Sequence, residues 1–289
     1  MEIKISIVIP VRRAQQTVES TLAAALKQAR ETGGEVIAAV WRGDPSFPSV
    51  AAFAERDERL RILVAEQPSG VPQLRRDGAR AARGQRVVIT EDHCLFPPGW
   101  LARHVSSAIE VLGGGVSNGR NSYAGWAQYF TRYSAFLPPV AKGRTNHLPG
   151  NSASYPKALL ESRSIDPGFW EAEFNRELLE QGVPFFSDPA LTVEQRQQRG
   201  WLAFAALRFQ HGRCYGGRRT GPKFGLLLRS PLIPAVLLAR NIRAVAAKKD
   251  YIGRFLLTLP LTGIYVLAWS AGEIAGYLFG PGDSCRKTD

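Results

Sequence analysis

The chain has 289 residues, 45% of them hydrophobic and 21% charged, which supports a packed core and excludes a disordered or low-complexity protein. Its 37 Lys and Arg exceed its 25 Asp and Glu by 12, giving a formal charge of +12. That excess favours a polyanionic partner: nucleic acid, a phosphorylated ligand or an anionic membrane face. Three cysteines, Cys94, Cys214 and Cys285, without CxxC spacing, argue against a disulfide scaffold or a zinc knuckle and for a reducing, cytosolic setting. The opening MEIKISIVIPVRR does not read as a secretory signal, because its apolar part is short and its basic pair follows rather than precedes it.

In chain order, the β-branched run Ile3–Val11 reads as a buried strand of a parallel sheet, since both of its faces must be apolar. Thr17–Arg30 carries apolar residues at helical spacing and stops at Gly33-Gly34. Val36–Val40 and Arg61–Val64 are further strands, Leu74–Arg83 a helix ended by Gly84, and Arg86–Thr90 the next strand. This alternation predicts a doubly wound α/β sheet, with ligands at the carboxyl ends of its strands. Attention therefore falls on Pro10–Arg13, Trp41–Asp44 and Thr90–His93. The glycines from Gly113 to Gly125 and Pro138-Pro139 mark loops, and Phe169–Gln181 reads as a helix stopped by Gly182. Gly212–Lys223 reads as a basic, glycine-rich loop.

Beyond it the composition changes. Phe224–Ile242 is apolar but interrupted, Ala244–Arg254 is basic, and Phe255–Phe279 is nearly all apolar, long enough to cross a bilayer as a helix. Glu273 and the glycines weaken a simple spanning reading. A helical hairpin in the cytoplasmic leaflet, with Arg240, Arg243, Lys248, Lys249 and Arg254 at the headgroups, fits the pattern. The alternative is a helical pair packed on the core or on a second subunit.

Thr90-Glu91-Asp92-His93 directly follows a buried strand. Carboxylates there suit a hard divalent cation with substrate phosphates completing its shell; the alternative is a polar turn. The ordered series SIVIPVRR, EVIAAV, EQPSGVPQLRRDGARAARGQRVVITEDH, the Pro98–Trp100 PGW, GNSASYPK at Gly150–Lys157 and FWEAEFNRELLEQG resembles the family 2 glycosyltransferases of the GT-A fold over about residues 1–215. The apolar tail is similar to that of bacterial, membrane-associated members linked to polysaccharide synthesis.

The resemblance implies a GT-A, nucleotide-diphospho-sugar transferase domain over residues 1–223: an α/β, Rossmann-like mixed sheet flanked by helices. It is followed by an apolar and basic helical region over 224–289 that associates with the membrane. It implies an inverting, metal-dependent enzyme at the cytoplasmic face of the cell membrane, moving sugar from a nucleotide-diphosphate sugar to a glycan or lipid-linked acceptor. A divalent ion, Mn²⁺ or Mg²⁺, would be its cofactor. The family's Asp-x-Asp falls on Thr90-Glu91-Asp92, which makes Asp92 the metal ligand and Glu91 a substitute, with His211 completing the shell. Glu171, counted back from Gly182, is the implied catalytic base and Glu173 its reserve. Donor contacts fall on Pro10, Arg12, Trp41, Asp44, Arg76, Glu91, Asp92, Asn151 and Arg213. Two of these places depart from the family: Thr90 replaces the first Asp, and Val40-Trp41 replaces an acidic pair. These departures keep open a catalytically impaired homologue acting as a sugar-nucleotide-binding or membrane scaffold. A nucleotidyltransferase is disfavoured because no glycine-rich phosphate loop follows the first strand. Charge alone suggests nucleic acid, and no recognised motif supports it.

Overall fold

The computed structural model describes residues 3–288. Its strands in chain order are β1 (Ile5–Val11), β2 (Glu35–Trp41), β3 (Leu60–Ala65), β4 (Arg86–Ile89), β5 (Cys94–Leu95), β6 (Val111–Gly113), β7 (Val116–Asn118), β8 (Gly143–Thr145), β9 (Ala153–Pro156), β10 (Phe185–Ser187) and β11 (Val193–Gln195). The helices are α1 (Val18–Thr32), α2 (Phe47–Ala54), α3 (Val71–Ala81), α4 (Trp100–Ser106), α5 (Tyr123–Tyr133), α6 (Lys157–Glu161), α7 (Glu171–Glu180), α8 (Trp201–Arg218), α9 (Lys223–Arg229), α10 (Ile233–Ala246), α11 (Lys249–Phe279) and α12 (Ser284–Lys287). They form two compact units: the chain up to Ser117 with Pro138–Arg196, and Asn118–Leu137 with the chain from Gln197 onward. The boundary expected at residue 223 falls inside the second unit.

In the first unit an eight-stranded sheet runs in the order β3-β2-β1-β4-β9-β6-β10-β8. Every residue of β1 is buried, because parallel neighbours β2 and β4 flank it and helices cover its faces; Ile7 stands opposite Val36 on one side and Val88 on the other. The doubly wound reading holds for β1 to β4. Beyond it the sheet is mixed, with β9 antiparallel to both β4 and β6. A smaller sheet, β5-β11-β7, stands beside it. Behind β9, Tyr155, Phe169 and Phe174 pack edge to face with centroids 5.0–5.9 Å apart, and the Tyr155 hydroxyl donates to Asn175 Oδ1 at 2.8 Å. This aromatic cluster anchors the first turns of α7 and so fixes where Glu171 emerges.

The second unit is helical, with α11 packed along α8, α5 and α10. Three expectations fail here. Residues 212–218 are not a loop but the last two turns of α8. Gly212 and Gly216 face Gly272 and Gly276 of α11, and a Cβ at any of the four would run into the opposing helix backbone. Glycines that signal a break in isolation are here small residues that let two helices approach closely. Cys214 and Cys285, expected to be reduced, form a disulfide with Cα atoms 4.9 Å apart that ties α12 to α8; only Cys94 is free, and it is buried. The 71-residue separation gave no local signal of the pairing. The glycine at 125, read as a loop, lies inside α5, whose start is capped by Ser122 Oγ accepting the Gly125 N–H at 2.9 Å.

Candidate active site

The first unit gathers its acidic groups where β1, β4 and the start of α7 meet. After β4 the chain turns through Thr90–His93 before β5, and all four side chains are buried. Thr90 braces the turn by donating from Oγ1 to the Asn151 carbonyl at 3.0 Å. Asp92 reaches the loop after β1, where Oδ2 accepts the Arg12 backbone N–H at 2.6 Å, and its Oδ1 lies 2.9 Å from His93 Nδ1. The other ring nitrogen of His93 is 3.0 Å from Glu91 Oε2. Burial would by itself lower the His93 pKa, but the carboxylates of Asp92 and Glu91 outweigh it and hold it up to about 9. Below that pH the ring is a cation between two acids.

Arg75 completes the arrangement. It lies on the buried face of α3 with Val71, Leu74, Gly78 and Ala79, and is itself only 3% exposed. One Nη donates to Glu91 Oε1 at 2.7 Å and the other to Glu171 Oε2. Glu171 is thereby joined through Arg75, Glu91 and His93 to Asp92. The far side of Glu171 meets the Gly150 turn, where any side chain on residue 150 would collide with the carboxylate. Next to it Asn151 is 1% exposed, donates weakly to Cys94 Sγ at 3.6 Å, and keeps its Oδ1 buried without a hydrogen-bond partner. Burial, with Glu91 close by, pushes the Cys94 thiol up, so the sulfur stays protonated.

The remaining expected residues divide. Pro10 is a buried β1 residue paired with Ala39. Asp44 accepts the Arg13 N–H at 3.0–3.1 Å through both oxygens and the Ser46 N–H at 2.8 Å. It thereby holds Arg13 at φ 53, a conformation that non-glycine residues seldom adopt. Trp41 closes over Gly43 at the end of β2. Arg76 turns away from the acids, donating to Asp77 at 2.7 Å and to the Pro167 carbonyl at 2.9 Å. Glu173 follows Glu171 on the first turn of α7. In the second unit, His211 lies on α8 with its ring 6.2 Å from that of Trp269, and Arg213 donates from Nε to the Gly280 carbonyl at 3.2 Å. The donor contacts expected from the sequence include Arg76 and not Arg75. The phase of α3 would have separated them, because Arg75 shares the spacing of Val71, Leu74 and Gly78.

A divalent ion, implied by the resemblance, does not fit this arrangement. Both Asp92 oxygens are engaged, Glu91 is divided between Arg75 and His93, and among the described residues no three His, Cys, Asp or Glu side chains converge as a metal site. The acids are compensated by protein cations.

Residues 6–161 match the family model described as Glycosyl transferase family 2. Among solved structures, the fold is similar to a mannosyltransferase, PcManGT from Pyrobaculum calidifontis in complex with GDP-Man and Mn²⁺. Identity is 18%, coverage 95% of this chain and 88% of that one, and the TM-score 0.61. It is also similar to S. aureus TarS 1–349 in complex with UDP-GlcNAc, at 13% identity over 96% of this chain and 93% of that chain, TM-score 0.54. GalNAc-T7 with UDP, GalNAc and Mn²⁺ aligns at 15% identity over 68% of this chain and 43% of its own, TM-score 0.53. At such identities the likeness shows the fold, which is GT-A. Among curated proteins, none matches.

Proposed function

The chain belongs to glycosyl transferase family 2, and from that premise we propose that it moves a sugar from a nucleotide-diphosphate sugar to a hydroxyl of a glycan or lipid-linked acceptor. The observation that carries the reading is the junction of Glu171 with the strand-tip acids through the buried Arg75. The nucleotide sugars in the neighbouring structures, GDP-Man and UDP-GlcNAc, support the donor class.

Glu171 acts as general base. Its carboxylate takes the acceptor hydroxyl proton while the acceptor oxygen attacks the anomeric carbon; the bond from that carbon to the diphosphate breaks, and the nucleoside diphosphate leaves with the electron pair. Attack from the face opposite the leaving group inverts the anomeric configuration. Arg75 fixes one Glu171 oxygen, so the other is presented toward Gly150 and Asn151. The unpaired Asn151 Oδ1 accepts from a sugar hydroxyl. Arg12 and the strained Arg13 place two cations on the loop after β1, at the carboxyl end of the strand where open α/β sheets bind their ligands, suited to the donor diphosphate. Neighbours crystallised with Mn²⁺ support divalent-metal use in the family. Because the acids of this chain are closed on each other, no step here is assigned to a metal.

The second unit supports a membrane location. Residues 223–246 and Lys249–Phe279 are each long and apolar enough to cross a bilayer. Yet α11 buries one side along its whole length, from Phe255 to Tyr277 at three- and four-residue steps. Large apolar side chains face outward from the same helices, including Phe224, Leu228, Leu256, Leu257 and Phe279. A helix covered on one side by protein and apolar on the other lies in the membrane surface, its basic neighbours at anionic headgroups on the cytoplasmic side.

The test is a panel of sugar nucleotides, with and without a chelator, read by thermal stabilisation and by sugar transfer. Glu171→Gln keeps donor binding and lowers transfer by roughly 10²–10⁴-fold; unchanged turnover removes Glu171 from the mechanism. A chain that binds sugar nucleotide but transfers nothing is the scaffold, a reading favoured by the replaced Asp-x-Asp.

A further inference from the structure

Each carboxylate oxygen at the tip of β4 already faces a protein nitrogen. Asp92 sets Oδ2 against the Arg12 N–H at 2.6 Å and Oδ1 against His93 Nδ1 at 2.9 Å. Glu91 accepts from Arg75 on Oε1 at 2.7 Å, and its Oε2 stands 3.0 Å from His93 Nε2. The cluster is also enclosed, with Glu91 6% exposed, Asp92 4% and His93 2%. Thr90, at the place of the family's first acid, is buried and donates its hydroxyl to the Asn151 carbonyl at 3.0 Å. A hard divalent ion binds through carboxylate and phosphate oxygens and keeps several of its waters. To enter here it would have to part Arg75 and the Arg12 N–H from two buried acids, and so forfeit the pairing that offsets their desolvation.

The diphosphate of a nucleotide sugar still carries negative charge, which grows as it leaves, and a cation has to meet it. The loop after β1 supplies one. Its backbone N–H groups are engaged by the protein: Arg12 by Asp92, Arg13 by both oxygens of Asp44, and Ala14 by Ser46 Oγ at 2.7 Å. Amides that could have cradled a phosphate are therefore committed, and recognition passes to side chains. The same bonds clamp the loop between the tips of β2 and β4 and hold Arg13 at φ 53, which glycine or asparagine adopts with less strain. Arg13 is exposed at the carboxyl end of β1, and its guanidinium is in no ion pair or hydrogen bond among the described residues.

We propose that this chain binds the diphosphate of its donor without a divalent ion, the Arg13 guanidinium meeting the charge that a metal meets in metal-dependent transferases. A guanidinium offers paired N–H groups that match two phosphate oxygens, and it needs no carboxylate to hold it in place. The identity of the anion rests on the transferase reading; the exclusion of the ion rests on the geometry of the acids.

The full chain is titrated calorimetrically with UDP and with GDP, first in excess chelator and then in Mn²⁺. The nucleotide that binds does so with affinities that agree within about twofold in the two buffers. Mn²⁺ alone, followed by the electron paramagnetic resonance signal of the free ion, is not taken up. A loss of affinity of about tenfold or more in chelator, or an uptake of Mn²⁺ that Asp92→Asn abolishes, overturns the proposal and leaves the transferase reading standing. Failure of both nucleotides to bind in either buffer overturns that reading and the proposal with it. Arg13→Gly relieves the backbone, so it melts at or above the wild-type temperature. It weakens the nucleotide by about tenfold or more in both buffers, the loss of one charge-assisted pair. Arg13→Asn, which also accepts a positive φ, gives the same loss. Unchanged affinity in these two variants removes Arg13 from the site and overturns the proposal.

Discussion

Arg75 is the residue on which the acidic cluster turns. Its side chain is 4% exposed and answers Glu91 at 8% and Glu171 at 29%. Removing one partner of a buried ion pair leaves the other charge uncompensated, which costs more than the pair contributed. Arg75→Met is therefore expected to lower stability by about 3 kcal/mol in urea denaturation and to depress transfer together with it. Arg76→Met, one position on and facing the Asp166–Pro167 loop, is expected to stay within about 1 kcal/mol of wild type. His93 makes a separate prediction. Its folded pKa of about 9 lies above the ordinary 6.5, so the stability it contributes is complete below about pH 6.5 and is lost as pH rises toward 9. A series of melts between those pH values should fall in wild type and flatten in His93→Gln; parallel curves would show that the proton is not held there.

Between elements, the contact of α8 with α11 is set by glycine. Gly272 meets the Phe209 carbonyl and the Arg213 N–H, and Gly212 meets the Trp269 carbonyl, so the helix backbones themselves touch. Gly272→Val has no side-chain gap to fill and is expected to destabilise the second unit by about 2 kcal/mol or more, seen as an earlier melting transition. Gly253→Ala, on the same helix with open space around its Cα, serves as the comparison and is expected to be neutral or slightly stabilising, since it replaces glycine in a helix interior. The sequence carried the glycine pairs in plain view at four-residue spacing. They were indistinguishable from breakers because a single strand of text does not say which helix lies opposite.

For the molecule as a whole, the proposed membrane location rests on the outward apolar side chains of α9 to α11 taken with the +12 charge. Leu256 and Leu257, 60% and 68% exposed, contribute little to the fold. Replacing both with Asp is expected to reduce binding to anionic vesicles by about tenfold or more while leaving the melting temperature near wild type. Raising the salt concentration should weaken the wild-type interaction only partly, because the electrostatic share is screened and the apolar share is not. Binding that vanishes with salt, or that survives the double substitution, would remove the apolar faces from the membrane contact.

The sequence by itself determined the alternating strands and helices of the first hundred residues, because burial on both faces of a parallel sheet forces continuous apolar runs. Its resemblance to family 2 glycosyltransferases also drew attention to Glu91, Asp92, Asn151 and Glu171, and the fold joins Glu171 to Glu91 through Arg75. It did not determine which cations answer those acids. Arg75 and His93 were present as letters, but whether a buried carboxylate meets a guanidinium, an imidazole or a metal ion depends on distances of about 3 Å between residues far apart in the chain. The pairing of Cys214 with Cys285 belongs to the same class. Short-range geometry between distant segments decides them, and only the folded chain brings those segments together.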